Sequence, residues 1–173
     1  MIEIIAEAIW LILPAYIANS SAVIVGGGKP IDFGKKWKGR PIFGEGKTWR
    51  GLVGGIFFGS IAGIIQNRIW NVFGNGFSSI EVILALSAGA LLGDIVKSFF
   101  KRRMNISRGK PLPIIDQIDF LIGAFILAFI LNKEWFLAHF TLYHILFLLL
   151  FTPALHIVTN IIAYLLGLKK VPW

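Results

Sequence analysis

The sequence contains no cysteine, and its nine acidic residues are outnumbered by seventeen lysines and arginines. The absence of cysteine excludes a disulfide framework and any metal site built from thiolates. Hydrophobic residues make up 56% of the 173 residues, and the mean hydropathy is +0.75. This composition is typical of an integral membrane protein rather than a soluble globule. In such a protein the net charge of +8 reports the placement of loops at a membrane, so we expect no nucleic-acid partner.

The hydrophobic pattern predicts an all-α, polytopic membrane protein with five transmembrane helices in a single domain, residues 1–173. A transmembrane helix needs roughly 20 mostly apolar residues. Because its start lacks the basic region of a secretory signal, we expect the first segment to be retained as a helix. The last segment is too long for one perpendicular crossing, and its internal proline predicts a kink or tilt. The five segments cover about residues 2–25, 52–73, 80–100, 116–131 and 136–168.

Basic residues are distributed unevenly among the connecting loops. Nearly all of them lie in the predicted loops at about 26–51 and 101–115, at the end of the third helix, or in the C-terminal tail. With five crossings these places share one side of the membrane. The positive-inside rule therefore predicts an N-terminus outside, with the C-terminus and both loops in the cytoplasm.

Five polar side chains fall in the cytoplasmic half of the predicted helices. Polar groups at membrane depth are costly and indicate either a function or a specific partner. These five come from four different helices, so we expect them to line one polar cavity that opens to the cytoplasm. They are Asn19, Asp94, Asp116, Asp119 and Asn160.

Each of these side chains also has a structural interpretation. Asp116 could cap its helix, and Asp94 could pair with a loop lysine. Asn19 and Asn160 could join helices by hydrogen bonds. Capping leaves Asp119 unexplained, because the i, i+3 spacing puts both carboxylates on one helix face, where they repel unless a cation joins them.

Three carboxylates at one depth predict a divalent-cation site. Mg²⁺ prefers oxygen ligands and is usually held by a few carboxylates together with substrate phosphates. We therefore expect Asp94, Asp116 and Asp119 to bind Mg²⁺. The neighbouring basic loops would hold phosphates, although attraction to anionic lipid headgroups also accounts for their charge.

Two motifs carry a family resemblance. The stretch GDIVKSFFKRR, residues 93–103, followed by DQID, residues 116–119, resembles the signature of CDP-diacylglycerol synthases, with Gln117 in place of an arginine. Elements between the two motifs are missing, and Lys97 stands where the bacterial pattern usually has glutamate. These differences point to an archaeal branch, and the whole chain is similar to the CDP-archaeol synthase family. The other segments that carry this likeness are PAYIANS (14–20), GRPIFGEGKTWRG (39–51) and GLKKVPW (167–173).

The resemblance implies a Mg²⁺-dependent cytidylyltransferase of an archaeal membrane. Its substrates would be CTP and a prenylated ether lipid, 2,3-bis-(O-geranylgeranyl)-sn-glycerol 1-phosphate, and its products the CDP-lipid and pyrophosphate. The catalytic residues would be Asp94, Asp116, Asp119 and Lys101, with the three aspartates as metal ligands. The substrate-binding residues would be Asn19, Arg40, Lys47, Thr48, Arg50, Ser98, Arg102 and Arg103.

Two other functions would use similar residues. A CTP-dependent polyprenol or dolichol kinase also needs a metal, basic loops and a membrane-buried alcohol, but it transfers the γ-phosphate and releases CDP. A divalent-cation transporter could use the three aspartates as its ion site. Its polar residues should then run through both halves of the bilayer, whereas here they cluster in one half.

Overall fold

The computed structural model describes residues 2–72, 78–107, 110 and 112–165. These residues form mostly helix, as the sequence predicts, with one short antiparallel hairpin before the second helix. The elements are α1 Ile2–Ile24, β1 Lys36–Trp37, β2 Arg40–Pro41, α2 Trp49–Val72, α3 Ile80–Arg103, α4 Ile115–Leu131, α5 Lys133–His139 and α6 Leu142–Leu165.

Three helices are long and apolar enough to cross a membrane, over Glu3–Ile24, Trp49–Ile69 and Ile80–Arg103. Helices α5 and α6, taken together as one broken span, are also long and apolar enough to cross. The 17 residues of α4 make a helix of ~25 Å at 1.5 Å per residue, shorter than the roughly 30 Å hydrocarbon core. The part of the chain that the structure describes therefore holds three or four candidate spans by length and composition.

The first four predicted helices agree with α1 to α4 to within about one helical turn at each end. The predicted loops 26–51 and 101–115 are accordingly shorter, since α2 begins at Trp49 and α3 ends at Arg103. The predicted end of the second helix at residue 73 lies outside the described residues.

The structure differs from the single helix predicted over 136–168. The chain forms α5 and α6 there, bent by 79° at the break between them. Thr141 Oγ1 accepts a hydrogen bond from the backbone N–H of His144, and Thr141 N donates to His144 Nδ1 at 3.2 Å. This reciprocal pairing starts a new helix in the manner of a capping box, whereas Pro153 lies inside α6. Residues 166–168 of the predicted helix lie outside the described residues.

The apolar core fills the end of the bundle that is remote from the hairpin. The side chains at its centre come from α1, α3, α4 and α6 and are fully buried; they include Ile12, Ile83, Leu86, Phe120 and Leu148. At the opposite end α1 and α3 finish and α2 and α4 begin. That end therefore gathers the loops and most of the charged side chains.

Two glycines let α3 and α4 cross in direct backbone contact. A Cβ atom added to Gly93 would lie 2.3 Å from the carbonyl oxygen of Asp119, and one added to Gly123 would lie 2.3 Å from that of Gly89. Small residues permit such close approach between membrane helices. The crossing places Asp94, the residue after Gly93, against the first turns of α4.

Candidate active site

One ammonium group contacts all three aspartates of the predicted metal site. Lys97 Nζ lies 3.0 Å from Asp94 Oδ1, 3.3 Å from Asp116 Oδ1 and 2.8 Å from Asp119 Oδ2. Lys97 and Asp94 share a face of α3 because they are three residues apart. Asp116 and Asp119 share a face of α4 for the same reason. The close crossing of the two helices therefore brings the three carboxylates to one lysine.

Two further lysines complete this charged network. Lys101 Nζ lies 3.0 and 2.8 Å from the two carboxylate oxygens of Asp116 and donates to the backbone carbonyl of Lys110 at 2.8 Å. Lys47, in the loop before α2, forms an ion pair with Asp94 Oδ2. The network thus matches three carboxylates with three ammonium groups and is formally neutral.

The network is deeply placed. Asp119 and Lys101 are only 9% and 8% exposed, and charges buried to this extent need partners. Asp119 Oδ2 is buried, and its partner among the described residues is the ammonium group of Lys97 at 2.8 Å. This oxygen therefore already binds a cation, and that cation is a side chain of the protein.

A polar cavity of about 240 Å³ lies beside the network. The ends of α1, α2 and α3 form it together with the loop that carries Lys47. Ligand pockets start at roughly 300 Å³, so this cavity lies just below the usual size of a ligand pocket. Four of the residues predicted from the sequence line it, namely Asn19, Lys47, Thr48 and Asp94.

An apolar groove of about 580 Å³ runs between α3 and α4. Its charged lining residues are Lys97, Lys101 and Asp119, and all three belong to the network. The rest of the lining is almost entirely aliphatic or aromatic and includes Leu92, Val96, Phe100, Ile118, Ile122 and Ile126. The charged network therefore borders a polar cavity and an apolar groove at once.

Asp32 organises the loop between α1 and α2. Its buried carboxylate accepts hydrogen bonds from the backbone N–H groups of Gly44, Phe43 and Gly34, each at 2.9 Å. Burial alone would raise the pKa of this carboxyl, but the three donors outweigh it and hold the pKa below its ordinary value. Gly44 has a φ of 92°, a conformation that favours glycine. The loop is therefore fixed by one carboxylate.

The arginines predicted to bind substrate make structural contacts with the hairpin. Arg103 donates to the backbone carbonyls of Trp37, Arg40 and Pro41, and Arg40 donates back to the carbonyl of Arg103 at 2.6 Å. Arg102 donates to the carbonyl of Phe43 at 3.3 Å. Arg40 and Arg102 also line a separate cavity of about 330 Å³. Both arginines therefore keep a face toward a cavity while holding the hairpin on α3.

Three other predicted side chains stabilise helix ends or turns. Arg50 donates to the backbone carbonyls of Val25, at 2.6 Å, and Gly26, which follow α1. Thr48 is the N-cap of α2: its Oγ1 accepts a hydrogen bond from the backbone N–H of Gly51 at 3.1 Å. Ser98 Oγ donates to the carbonyl of Asp94, one turn earlier in α3. Of these three, Thr48 also lines the polar cavity.

Two residues of the site were missed by sequence reasoning. Lys97 was visible as a lysine one turn after Asp94 in an otherwise apolar stretch, a spacing that favours an ion pair. Asp32 is followed by Phe33 and Gly34, a pattern typical of a turn closed by an aspartate side chain. The side chain of Asn160 lies outside the described residues.

The donor set suits Mg²⁺, although an ammonium group stands at its centre. Carboxylate oxygens are the hard ligands that this ion prefers, and Asp119 supplies a buried oxygen that already faces a positive charge, Lys97 Nζ at 2.8 Å. In the described ranges no three carboxylate, imidazole or thiol groups are arranged to hold one ion as they stand. The aspartates therefore fit the ion chemically, provided that Lys97 leaves the space between them.

Comparisons with known proteins agree with one another. A family model described as CarS-like, CDP-archaeol synthase, matches residues 1–173. The chain is 49% identical to the CDP-archaeol synthase of Methanosarcina barkeri over 93% of this chain and 99% of the relative. It is 48% identical to that of Pyrococcus abyssi over 98% of each chain. A solved structure described as an intramembrane enzyme for archaeal membrane lipid biosynthesis is similar, with a TM-score of 0.76 and 35% identity over 89% of this chain and 92% of that chain.

Proposed function

The chain belongs to the CDP-archaeol synthase family, and on that premise we propose that it transfers CMP from CTP to 2,3-bis-(O-geranylgeranyl)-sn-glycerol 1-phosphate. The products are the CDP-lipid and pyrophosphate. The reaction joins a water-soluble nucleotide to a lipid, so it needs a site that both can reach. Family membership favours this reaction over the kinase and the transporter that the sequence left open.

One observation carries the proposal, namely the charged network that borders both a polar cavity and an apolar groove. Asp94 and Lys47 line the polar cavity, where the nucleotide binds. Lys97 and Asp119 line the groove, where the geranylgeranyl chains lie. The lipid phosphate then meets the nucleotide at the network, while the nucleotide stays on the aqueous side and the lipid chains stay in the hydrocarbon region.

We propose Mg²⁺ as the metal, held by Asp94, Asp116 and Asp119. When bound, the ion supplies positive charge that stabilises the reacting phosphoryl oxygens and the departing pyrophosphate. Lys47 adds an ammonium group from a loop that Asp32 holds in place. Carboxylates from α3 and α4 are suited to this role because the two helices are packed together in direct backbone contact.

The chain's own task is to align the reactants and neutralise charge. A phosphomonoester dianion is already nucleophilic, so no general base is required. Catalysis then depends on in-line positioning and on electrostatic stabilisation of the phosphoryl oxygens. The amide of Asn19 and the hydroxyl of Thr48 line the polar cavity and are suited to hydrogen-bond the nucleotide.

We also propose five crossings, with the N-terminus outside and the site facing the cytoplasm. Two features support this topology: basic residues concentrate near the hairpin end of the bundle, and α4 is apolar throughout most of its length. Helix α6 then makes the last crossing. The short α5 lies along the outer surface, where Trp135 suits the interface between headgroups and hydrocarbon.

The test is a product assay with purified protein, Mg²⁺, CTP labelled in the cytidine, and the geranylgeranyl ether lipid phosphate. We expect labelled lipid and pyrophosphate in equal amounts, and none of either when the lipid is omitted. CDP formed together with a phosphorylated polyprenol would instead favour the kinase. Absence of all these products from folded protein would contradict the proposal.

A further inference from the structure

We propose that Lys97 is the resident counter-cation of the aspartate cluster, and that a divalent ion reaches the aspartates only by displacing its ammonium group. This inference rests on the proposed function, from which it takes the metal. Lys97 Nζ lies within 3.3 Å of a carboxylate oxygen of each of the three aspartates. A cation bound by all three carboxylates would need the same space.

The charge balance of the network supports the exchange. Lys47, Lys97 and Lys101 already neutralise the three aspartates, so the cluster offers no excess negative charge to a divalent ion. A nucleotide triphosphate brings several negative charges of its own and attracts both the lysines and the ion. The divalent ion should therefore bind weakly by itself and tightly together with CTP.

The contacts of the lysines indicate which of them moves. Lys101 is held by a backbone carbonyl, that of Lys110, as well as by Asp116. Within the described ranges, Lys97 Nζ contacts only the three carboxylates that the ion would bind. Displacement therefore costs Lys97 no contact other than those the ion replaces.

A destination for the displaced group is present at the same place. Lys97 lines the groove between α3 and α4, whose lining is otherwise mostly apolar. An ammonium group that turns away from the aspartates there requires a new anion, and the phosphate of a lipid seated in the groove is such an anion. The exchange thereby moves one positive charge from the metal ligands to the lipid phosphate.

The decisive measurement is Mn²⁺ binding by electron paramagnetic resonance, in detergent, without nucleotide or lipid. Lys97→Met keeps an unbranched side chain and removes its charge, so we expect it to bind Mn²⁺ at least about tenfold more tightly than the unsubstituted protein. Lys97→Gln tests the same loss of charge with a polar group, should the methionine variant fail to fold. Lys35→Met removes an exposed lysine just before the hairpin and controls for net charge; the affinity of this variant for Mn²⁺ should not change.

The second measurement is the steady-state kinetics of the same variants. We expect the KM for the lipid phosphate to rise at least about tenfold in Lys97→Met, with a smaller change in the KM for CTP. A folded Lys97 variant that binds Mn²⁺ no more tightly than the unsubstituted protein would overturn the inference. If the variant bound Mn²⁺ no more tightly but the unsubstituted protein made CDP-lipid, the exchange would be wrong and the proposed function would be supported. Tighter Mn²⁺ binding in a protein that makes no CDP-lipid would instead support the exchange and contradict the proposed function.

Discussion

Lys97 Nζ on α3 lies 2.8 Å from Asp119 Oδ2 on α4. The two side chains meet where the glycine crossing holds the helices together. An ion pair at this depth persists only when both charges have partners. Each member of the pair is therefore open to a direct mutational test.

Asp119→Asn should abolish turnover and leave the protein folded. The amide keeps the shape of the side chain but removes the charge that binds a cation, so we expect a loss of roughly 10²-fold or more in kcat. Formation of labelled CDP-lipid measures the loss, and size-exclusion chromatography checks folding. Glu134→Gln, an exposed neutralisation on α5, is the matched control. Activity near that of the unsubstituted protein in Asp119→Asn would remove Asp119 from the site.

Gly93→Ala should separate α3 from α4. The new Cβ would meet the carbonyl oxygen of Asp119 at 2.3 Å, and overpacking of this kind costs about 1–3 kcal/mol. We expect a lower melting temperature in detergent together with lower activity, because the aspartates move apart. Leu84→Ala, at an exposed position of the same helix, should change both far less. An unchanged melting temperature for Gly93→Ala would contradict the close crossing.

Acid should remove the stabilisation that Asp32 supplies to the loop between α1 and α2. Its pKa in the folded protein is held below the ordinary value, so the contribution is complete above the unfolded pKa of about 3.9 and is lost as the pH falls through the folded pKa. The difference in melting temperature between the unsubstituted protein and Asp32→Asn should be constant near neutral pH and shrink below about pH 4. A difference that grows on acidification would show the opposite sign of shift.

Single cysteines should report the orientation without background, because the chain has none of its own. Ser107 follows α3 and Glu134 lies in α5, and both are exposed. We expect a membrane-impermeant maleimide to label Glu134→Cys in intact cells, and Ser107→Cys only after the cells are permeabilised. The reverse pattern would invert the proposed topology, and equal labelling of both in intact cells would exclude five crossings.

The helices could be predicted well where hydropathy alone decides them. Apolar runs bounded by charge or glycine gave α1 to α4 to within about a turn. The break between α5 and α6 could not be predicted in the same way, because Thr141 and His144 make it through local hydrogen bonds. These two residues lie inside a continuous apolar segment, whereas the sequence indicated a kink or tilt from Pro153, which lies within α6.

The sequence predicts how deep each residue of the site lies in the membrane, but it does not predict how each helix is rotated about its axis. Counting residues from the charged ends put Asp94, Asp116 and Asp119 in one layer. Which side chains touch within that layer depends on how the helices are turned, and the contact at Gly93 sets that. The position of Lys97 among the three carboxylates follows from the turn of α3 and therefore needed the structure.

The groove between α3 and α4 is open along its side. Leu92, Val96 and Ile126 line it and yet remain 45%, 53% and 54% exposed. In a bilayer such a surface faces the hydrocarbon region, so a lipid can arrive by lateral diffusion without being lifted into water. The enzyme then samples its acceptor in two dimensions, and its rate should follow the mole fraction of that lipid in the membrane rather than its concentration in the suspension.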